Sequence, residues 1–330
     1  MAASVSLTGI KPTGTPHLGN YVGAIRPALE LAREYDAYYF IADEHALTSS
    51  RDANELRRHT LEVTATWLAC GLDPEQHIVY RQSDIPEVFE LDWIIGCVTA
   101  KGLLNRAHAY KAAVAAATER GDDPDADVNL GLYGYPLLMA ADILVMRSNF
   151  VPVGADQIQH LEMARDIAGS FNHIYGDVLT IPEAVVQMET GIPGLDGRKM
   201  SKSYDNTIPL FGDPAKTRKS IMRIKTDSTP VGEPLDPDTS TVFALLQQFV
   251  SEADAVAVRT RMEAGDASWG ELKTLLADTL EAALAEPRAR YEELMAHPER
   301  IETILADGAE RARSTSRPLL ADVKRAVGLR

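Results

Sequence analysis

The first 80 residues alternate between two periodicities. Val5-Ser6-Leu7-Thr8 reads as a short strand, and Gly9, Pro12, Gly14 and Pro16 punctuate the loop after it. Residues 20–34 place Val22, Ile25, Leu29 and Ala32 at helical spacing. Residues 37–42 (AYYFIA) are a continuous apolar run, the pattern of a strand buried on both faces. Asp52 stands as the N-cap of a helix that runs to about Cys70 and is ended by Gly71 and Pro74. Residues 77–80 give a third strand. Strand, helix, strand, helix, strand predicts a parallel sheet with right-handed crossovers.

Helical patterning then takes over. Residues 86–100, 103–119, 137–146 and 157–168 predict helices, and 121–127 (GDDPDAD) an acidic solvated turn. From Asp213 onward nearly every segment is helical, with breaks expected over 230–237, at Gly265, and near Pro287 and Pro298. The expected fold is α/β: a Rossmann-like parallel sheet with helices on both faces, plus an α-helical C-terminal domain. A first domain over 1–205, with a helical insert at about 86–135, would be followed by a helical region over 206–330 whose last helices pack back on it.

Composition narrows the function. The chain has 330 residues, with 33 Lys and Arg against 48 Asp and Glu, a formal net charge of −15. Such a chain is no general polyanion binder, because that affinity comes from Lys and Arg neutralising phosphates; no DNA partner is expected, and any RNA contact needs a local basic patch. Two cysteines, Cys70 and Cys97, exclude a disulfide scaffold and a four-cysteine zinc site, and both read as buried reduced thiols. The most apolar stretch, 135–146, carries Asp142 and falls short of the ~18 apolar residues of a membrane span. Without a basic segment and apolar core at the N-terminus, the chain reads as cytoplasmic, with no membrane partner.

Two segments carry chemistry. Thr15-Pro16-His17-Leu18-Gly19-Asn20 lies between the first strand and the first helix, where the helix N-terminus offers N–H groups and a positive dipole end to an anion. Alone, it reads equally as a turn with a surface histidine. Lys199-Met200-Ser201-Lys202-Ser203 follows the Gly/Pro-rich run 191–197; two lysines and two hydroxyls on such a loop suit a mobile clamp on a pyrophosphate leaving group. The two in this order are far more specific than either.

PHLGN at 16–20 resembles the HIGH motif of class I aminoacyl-tRNA synthetases, and KMSKS at 199–203 matches their second signature letter for letter. The openings GIKPTG (9–14) and GNYVGA (19–24), with LMAADIL (138–144), VPVGADQ (151–157), His160 and Arg165-Asp166, are similar to the tryptophanyl branch. The likeness covers essentially the whole chain. It implies activation of L-tryptophan by ATP with Mg²⁺, no protein side-chain metal ligands, transfer to tRNA(Trp), and a homodimer. It implies catalytic roles for His17, Asn20, Lys199 and Lys202. ATP contacts are implied for Lys11, Thr13, His17, Gly19, Asn20, Lys111, Gly154, Asp156 (at the ribose), Lys199, Met200, Ser201, Lys202 and Ser203. Tyr135 and Gln157 are implied at the amino group, and Asp142 at the indole N–H, with Leu7, Gly9, His45, Met139, Val151 and Val153 around the ring.

The physics of the substrate fits. An indole offers a large apolar surface and one donor, so its site needs an apolar slot and one buried acceptor. Asp142 in the helix YPLLMAADILVM supplies such an acceptor; its bland reading is a structural pair with an Arg or a helix cap. Between His17 and Lys199 there is too little chain for both half the fold and a large editing insert, which suits rejection by an unpaired carboxylate rather than by proofreading.

Candidate tRNA patches are Lys216, Lys219 and Arg223, spaced i, i+3, i+7, and the last 22 residues with Arg311, Arg313, Arg317, Lys324, Arg325 and Arg330; solvated helix faces read the same way. The chain departs from the family at Lys11, at Ala155, at Tyr204-Asp205-Asn206 and in the alanine-diluted segment after Lys111, which bears on phosphate contacts. The rivals are a tyrosyl-tRNA synthetase, a non-catalytic tryptophan- or RNA-binding paralogue, and a small nucleotidyltransferase.

Overall fold

The computed structural model describes residues 4–154, 157–186 and 191–330. Five parallel strands form one sheet in the order β3-β2-β1-β4-β5: β1 Val5–Ile10, β2 Asp36–Ile41, β3 Ile78–Arg81, β4 Phe150–Val153 and β5 Glu183–Val186. The apolar run of β2 is explained by its two faces. Ala37, Tyr39 and Ile41 join Leu18, Val22 and Trp67 in one core cluster. Tyr38 and Phe40 join Leu7, Tyr80 and the helices Pro86–Gly96 and Leu130–Val145 in another. Burying such side chains stabilises by about 1.5–3 kcal/mol each.

The periodicity predicts neither β4 nor β5. Each has four residues, and β4 (FVPV) contains Pro152, which lacks a ladder donor and argues against an interior strand. The pairing resolves this. β1 pairs with β2 from Val5↔Asp36 to Ile10↔Ile41, but with β4 only at Ser6↔Phe150. Beyond that pair the two strands part, so Pro152 sits where β4 makes no pairing to β1. This gap is also where the strand order reverses, the place where open parallel sheets hold ligands.

Several helices differ from their expected spans. The 137–146 helix begins earlier, at Leu130, because the Asn129 side chain caps it by accepting from the Leu132 N–H; Gly131, Gly134 and Pro136 had hidden the pattern. The 103–119 segment is two helices, Lys101–Leu104 and His108–Arg120. No break occurs at Pro287: Trp269–Ala296 runs through it, and buried Leu276, Leu280 and Leu284 outweigh the ~3 kcal/mol of an interior proline. The break at Pro298 is present, after His297. The reading of two buried thiols fails for Cys97, which is exposed just past Gly96; Cys70 is half-buried, and both are free.

The last helix, Pro298–Val327, packs against edge strand β3. Its Ile301 and Leu305 belong to one core cluster, its Ala312 and Leu319 to the other, so it closes the sheet edge across both faces. Contact is backbone to backbone: a Cβ on Gly308 would lie 1.8 Å from the Val79 carbonyl oxygen.

Candidate functional site

The parting of β1 and β4 opens a cavity of about 620 Å³, within the usual ~300–1,000 Å³ of small-molecule sites. Leu7, Gly9 and Lys11 line it from β1 and its end, Val151, Val153 and Gly154 from β4, and His45, Tyr135, Met139 and Gln157 from the helical side. Gly9 is dictated by packing, since a Cβ there would meet the Phe40 ring at 2.6 Å. A second cavity of about 240 Å³ adjoins, the two sharing Gly23 and Ala24. His17, Gly19, Asn20, Lys199, Met200 and Ser201 line it. The two motifs of the sequence therefore face one cleft.

Their junction is built from the backbone. The Leu18 N–H donates to the Ile208 carbonyl at 2.9 Å, and the Leu210 N–H to the Pro16 carbonyl at 3.2 Å. One N–H of the helix N-terminus is thus committed to the chain that leaves the lysine loop. His17 is held by Asn20, whose Oδ1 accepts from the His17 N–H at 3.0 Å. Gly19 lets the imidazole fold back: a Cβ there would lie 2.9 Å from the ring. A π-helical turn, Tyr21–Ile25, follows and brings Gly23 to both cavities. His17 Nδ1 is buried with no hydrogen-bond partner among the described residues. Burial, with Lys202 nearby, pulls the imidazole down to about 4, so it is neutral at neutral pH and its ring N–H is available to an anionic oxygen.

The lysine loop is anchored by Asn206, which the sequence marks only as part of a departure from the family and not as a site residue. Its Nδ2 donates to Asp196 Oδ1 at 2.7 Å and to the Lys199 carbonyl at 3.1 Å, while its Oδ1 accepts from the Ser201 N–H at 2.8 Å. Tyr204 carries the Arg198 guanidinium 4.3 Å over its ring. Lys202 Nζ rests on the Thr13 carbonyl at 3.1 Å, and burial lowers its pKa and that of Lys11. Lys11 Nζ donates to Thr48 Oγ1 at 3.1 Å.

Asp142 is 1% exposed and does not line the cavity. It stands behind His45: His45 Nε2 and Asp142 Oδ2 are 2.9 Å apart, and Gln82 Nε2 donates to both carboxylate oxygens at 2.9 Å. Burial pushes the carboxyl up, and the bonds to His45 and Gln82 pull it back. Its partners are thus a histidine and a glutamine, neither the arginine nor the cap of the bland reading. Across the cavity, the Tyr135 hydroxyl lies 2.7 Å from His160 Nε2, and His160 Nδ1 lies 2.9 Å from Gln157 Oε1. Gln82 and His160 join two sequence-selected pairs; only the long-range fold reveals Gln82.

Thr13, Lys202 and Ser203 flank the cleft without lining either cavity, and Lys111 is exposed on His108–Arg120, two residues beyond Ala109, which lines the larger one. Asp156 lies outside the described residues. Among those described, no group of three His, Cys, Asp or Glu gathers that could hold a metal, and no helix is long and apolar enough to cross a membrane.

The family model of tRNA synthetases class I (W and Y) matches residues 2–285. A tryptophan–tRNA ligase of Pseudomonas aeruginosa is 54% identical over 98% of this chain and 73% of its own. One from Neisseria meningitidis is 54% identical over 98% and 97%. The crystal structure of a Campylobacter jejuni tryptophanyl-tRNA synthetase, complexed with ADP and tryptophan, superposes with a TM-score of 0.89 at 39% identity, covering 98% of this chain and all of that one.

Proposed function

The chain belongs to the class I tRNA synthetases of the tryptophan and tyrosine family, and from that premise we propose that its cleft activates L-tryptophan with ATP and delivers it to tRNA(Trp). It is an ATP-dependent tryptophan–tRNA ligase. The observation that carries the reading is the single cleft at the β1–β4 parting, apolar and Asp142-backed at one end, walled by His17 and Lys199 at the other.

The tryptophan carboxylate is already a nucleophile, so activation needs no general base. A carboxylate oxygen bonds to the α-phosphorus, the bond to the bridging oxygen of the β-phosphate breaks, and pyrophosphate leaves with the electron pair. Catalysis is positioning and charge stabilisation. His17 donates a ring N–H to a phosphate oxygen, with Gly19 and Asn20 holding the turn. Lys199 and Lys202 take up charge that grows on the pyrophosphate; Lys202 reaches it by leaving the Thr13 carbonyl. Lys11, which lines the larger cavity, contacts ATP. Thr13, Lys111, Gly154, Asp156, Met200, Ser201 and Ser203 complete the ATP contacts. Mg²⁺ carried by ATP would supply further positive charge at its phosphates. The indole enters between Leu7, Gly9, Met139, Val151 and Val153, its N–H directed at the His45–Asp142 pair, while Tyr135 and Gln157 take the ammonium. The active form is a homodimer.

ATP–pyrophosphate exchange with tryptophan and tyrosine in parallel tests this reading. Exchange with tryptophan and none with tyrosine is expected. Exchange with tyrosine and none with tryptophan would favour the tyrosyl rival, and none with either the non-catalytic one.

A further inference from the structure

The segment from Arg198 to Lys225 carries eight Lys and Arg against two Asp, in a chain of net charge −15. Two of the eight, Lys199 and Lys202, belong to the cleft. Arg198 pairs with Asp196, and Arg218 with Asp278. Lys216, Lys219, Arg223 and Lys225 remain. All four are exposed, and among the described residues none of their side chains makes an ion pair or a hydrogen bond; the Asp213 carboxylate takes only the Lys216 backbone N–H, as a helix cap. On the helix Pro214–Met222 and its continuation, Ile221 and Ile224 are buried, and Lys216, Lys219 and Arg223 fall on the opposite side.

The other basic strip is differently disposed. On Pro298–Val327, Arg311 donates to the Pro74 and His77 carbonyls, Arg313 to Glu87, Arg317 to Glu310, Lys324 to Glu90 and Arg325 to Asp322. A polyanion would have to break those pairs. Exposed, unpaired cations instead release counterions when phosphates arrive, which favours binding.

We propose that Lys216, Lys219 and Arg223, extended by Lys225, grip the phosphate backbone of the transfer RNA, and that the strip on the last helix does not. This rests on tRNA(Trp) being the second substrate, as argued above. The location fits: the chain leaves the cleft at Ile208 and Leu210, which bond to the His17 turn, and enters the cationic helix at Pro214. At ~1.5 Å rise per residue, the three side chains span about 10 Å, enough for roughly three consecutive phosphates.

The test is the variant K216A/K219A/R223A, read by KM for a tRNA(Trp) transcript across a KCl series, with tRNA-free ATP–pyrophosphate exchange alongside. The KM should rise about tenfold or more at low salt, the slope of log KM against log salt should flatten by about 2–3, and exchange should be unchanged. The charge-keeping variant K216R/K219R/R223K should behave as the unaltered chain, and R325A/R330A should leave the tRNA KM unchanged. An unaltered KM and slope in the alanine variant would overturn the proposal, as would an equal loss in the charge-keeping one. If the unaltered chain charges no tRNA at all, the functional reading itself fails, a separate outcome.

Discussion

Asp142 shows how far a single residue could be read without the fold. A lone carboxylate in an apolar helix demands a partner, and that much is legible in YPLLMAADILVM. That the partners are His45 and Gln82, from two other elements, is not, because they meet only when β2 and β3 stand side by side. Asp142→Ala should raise KM for tryptophan and weaken the rejection of phenylalanine by roughly 10- to 150-fold in relative kcat/KM, the equivalent of a charge-assisted bond of about 1.5–3 kcal/mol. Unchanged selectivity would leave Asp142 only a structural partner of His45 and Gln82. Lys202→Ala should slow adenylate formation roughly 10²–10³-fold, about 3–4 kcal/mol, with tryptophan affinity nearly kept; an equal loss of tryptophan binding would contradict the clamp. The His17 ring should titrate near 4 in the free protein when followed by NMR, and ATP should raise that midpoint by adding negative charge. Since the folded pKa lies below the usual 6.5, His17 contributes full stability above pH 6.5 and loses it as pH falls toward 4. His17→Asn should remove that part of the acid slope.

At the scale of elements, the long apolar or well-capped segments were legible. The Asp52 cap is real, its side chain accepting from the Asn54 and Glu55 N–H groups, and β2 lies within one residue of its apolar run. What escaped was set by tertiary context: β4 with Pro152, β5, and the uninterrupted helix through Pro287. The same holds for Gly308, unremarkable in sequence but fixed by the Val79 carbonyl. Gly308→Ala adds a methyl where backbone already stands, so it should lower stability by at least about 2 kcal/mol in urea unfolding, despite alanine's better helix propensity. A neutral or stabilising effect would mean that the helix stands off β3.

Over the whole molecule, the acidic charge and the two short motifs divide the work. The bulk of the chain repels polyanions, while Arg198 to Lys225 concentrates cations beside the cleft. The sheet supplies the cleft by letting β1 and β4 diverge after one paired residue. The family resemblance named His17, Gly19, Asn20 and Lys199, which line one cavity, and His45, Tyr135, Met139 and Gln157, which line the other, but not Gln82 or the gap between β1 and β4, because that gap depends on a pairing the local pattern does not encode. The most direct measurement is a structure with tryptophan and a non-hydrolysable ATP analogue bound. It should place the indole against the His45–Asp142 pair, the carboxylate at the α-phosphorus between β1 and β4, and the outer phosphates between His17 and the two lysines of the loop. Phosphates bound away from that loop, or an indole outside the parting of β1 and β4, would contradict it.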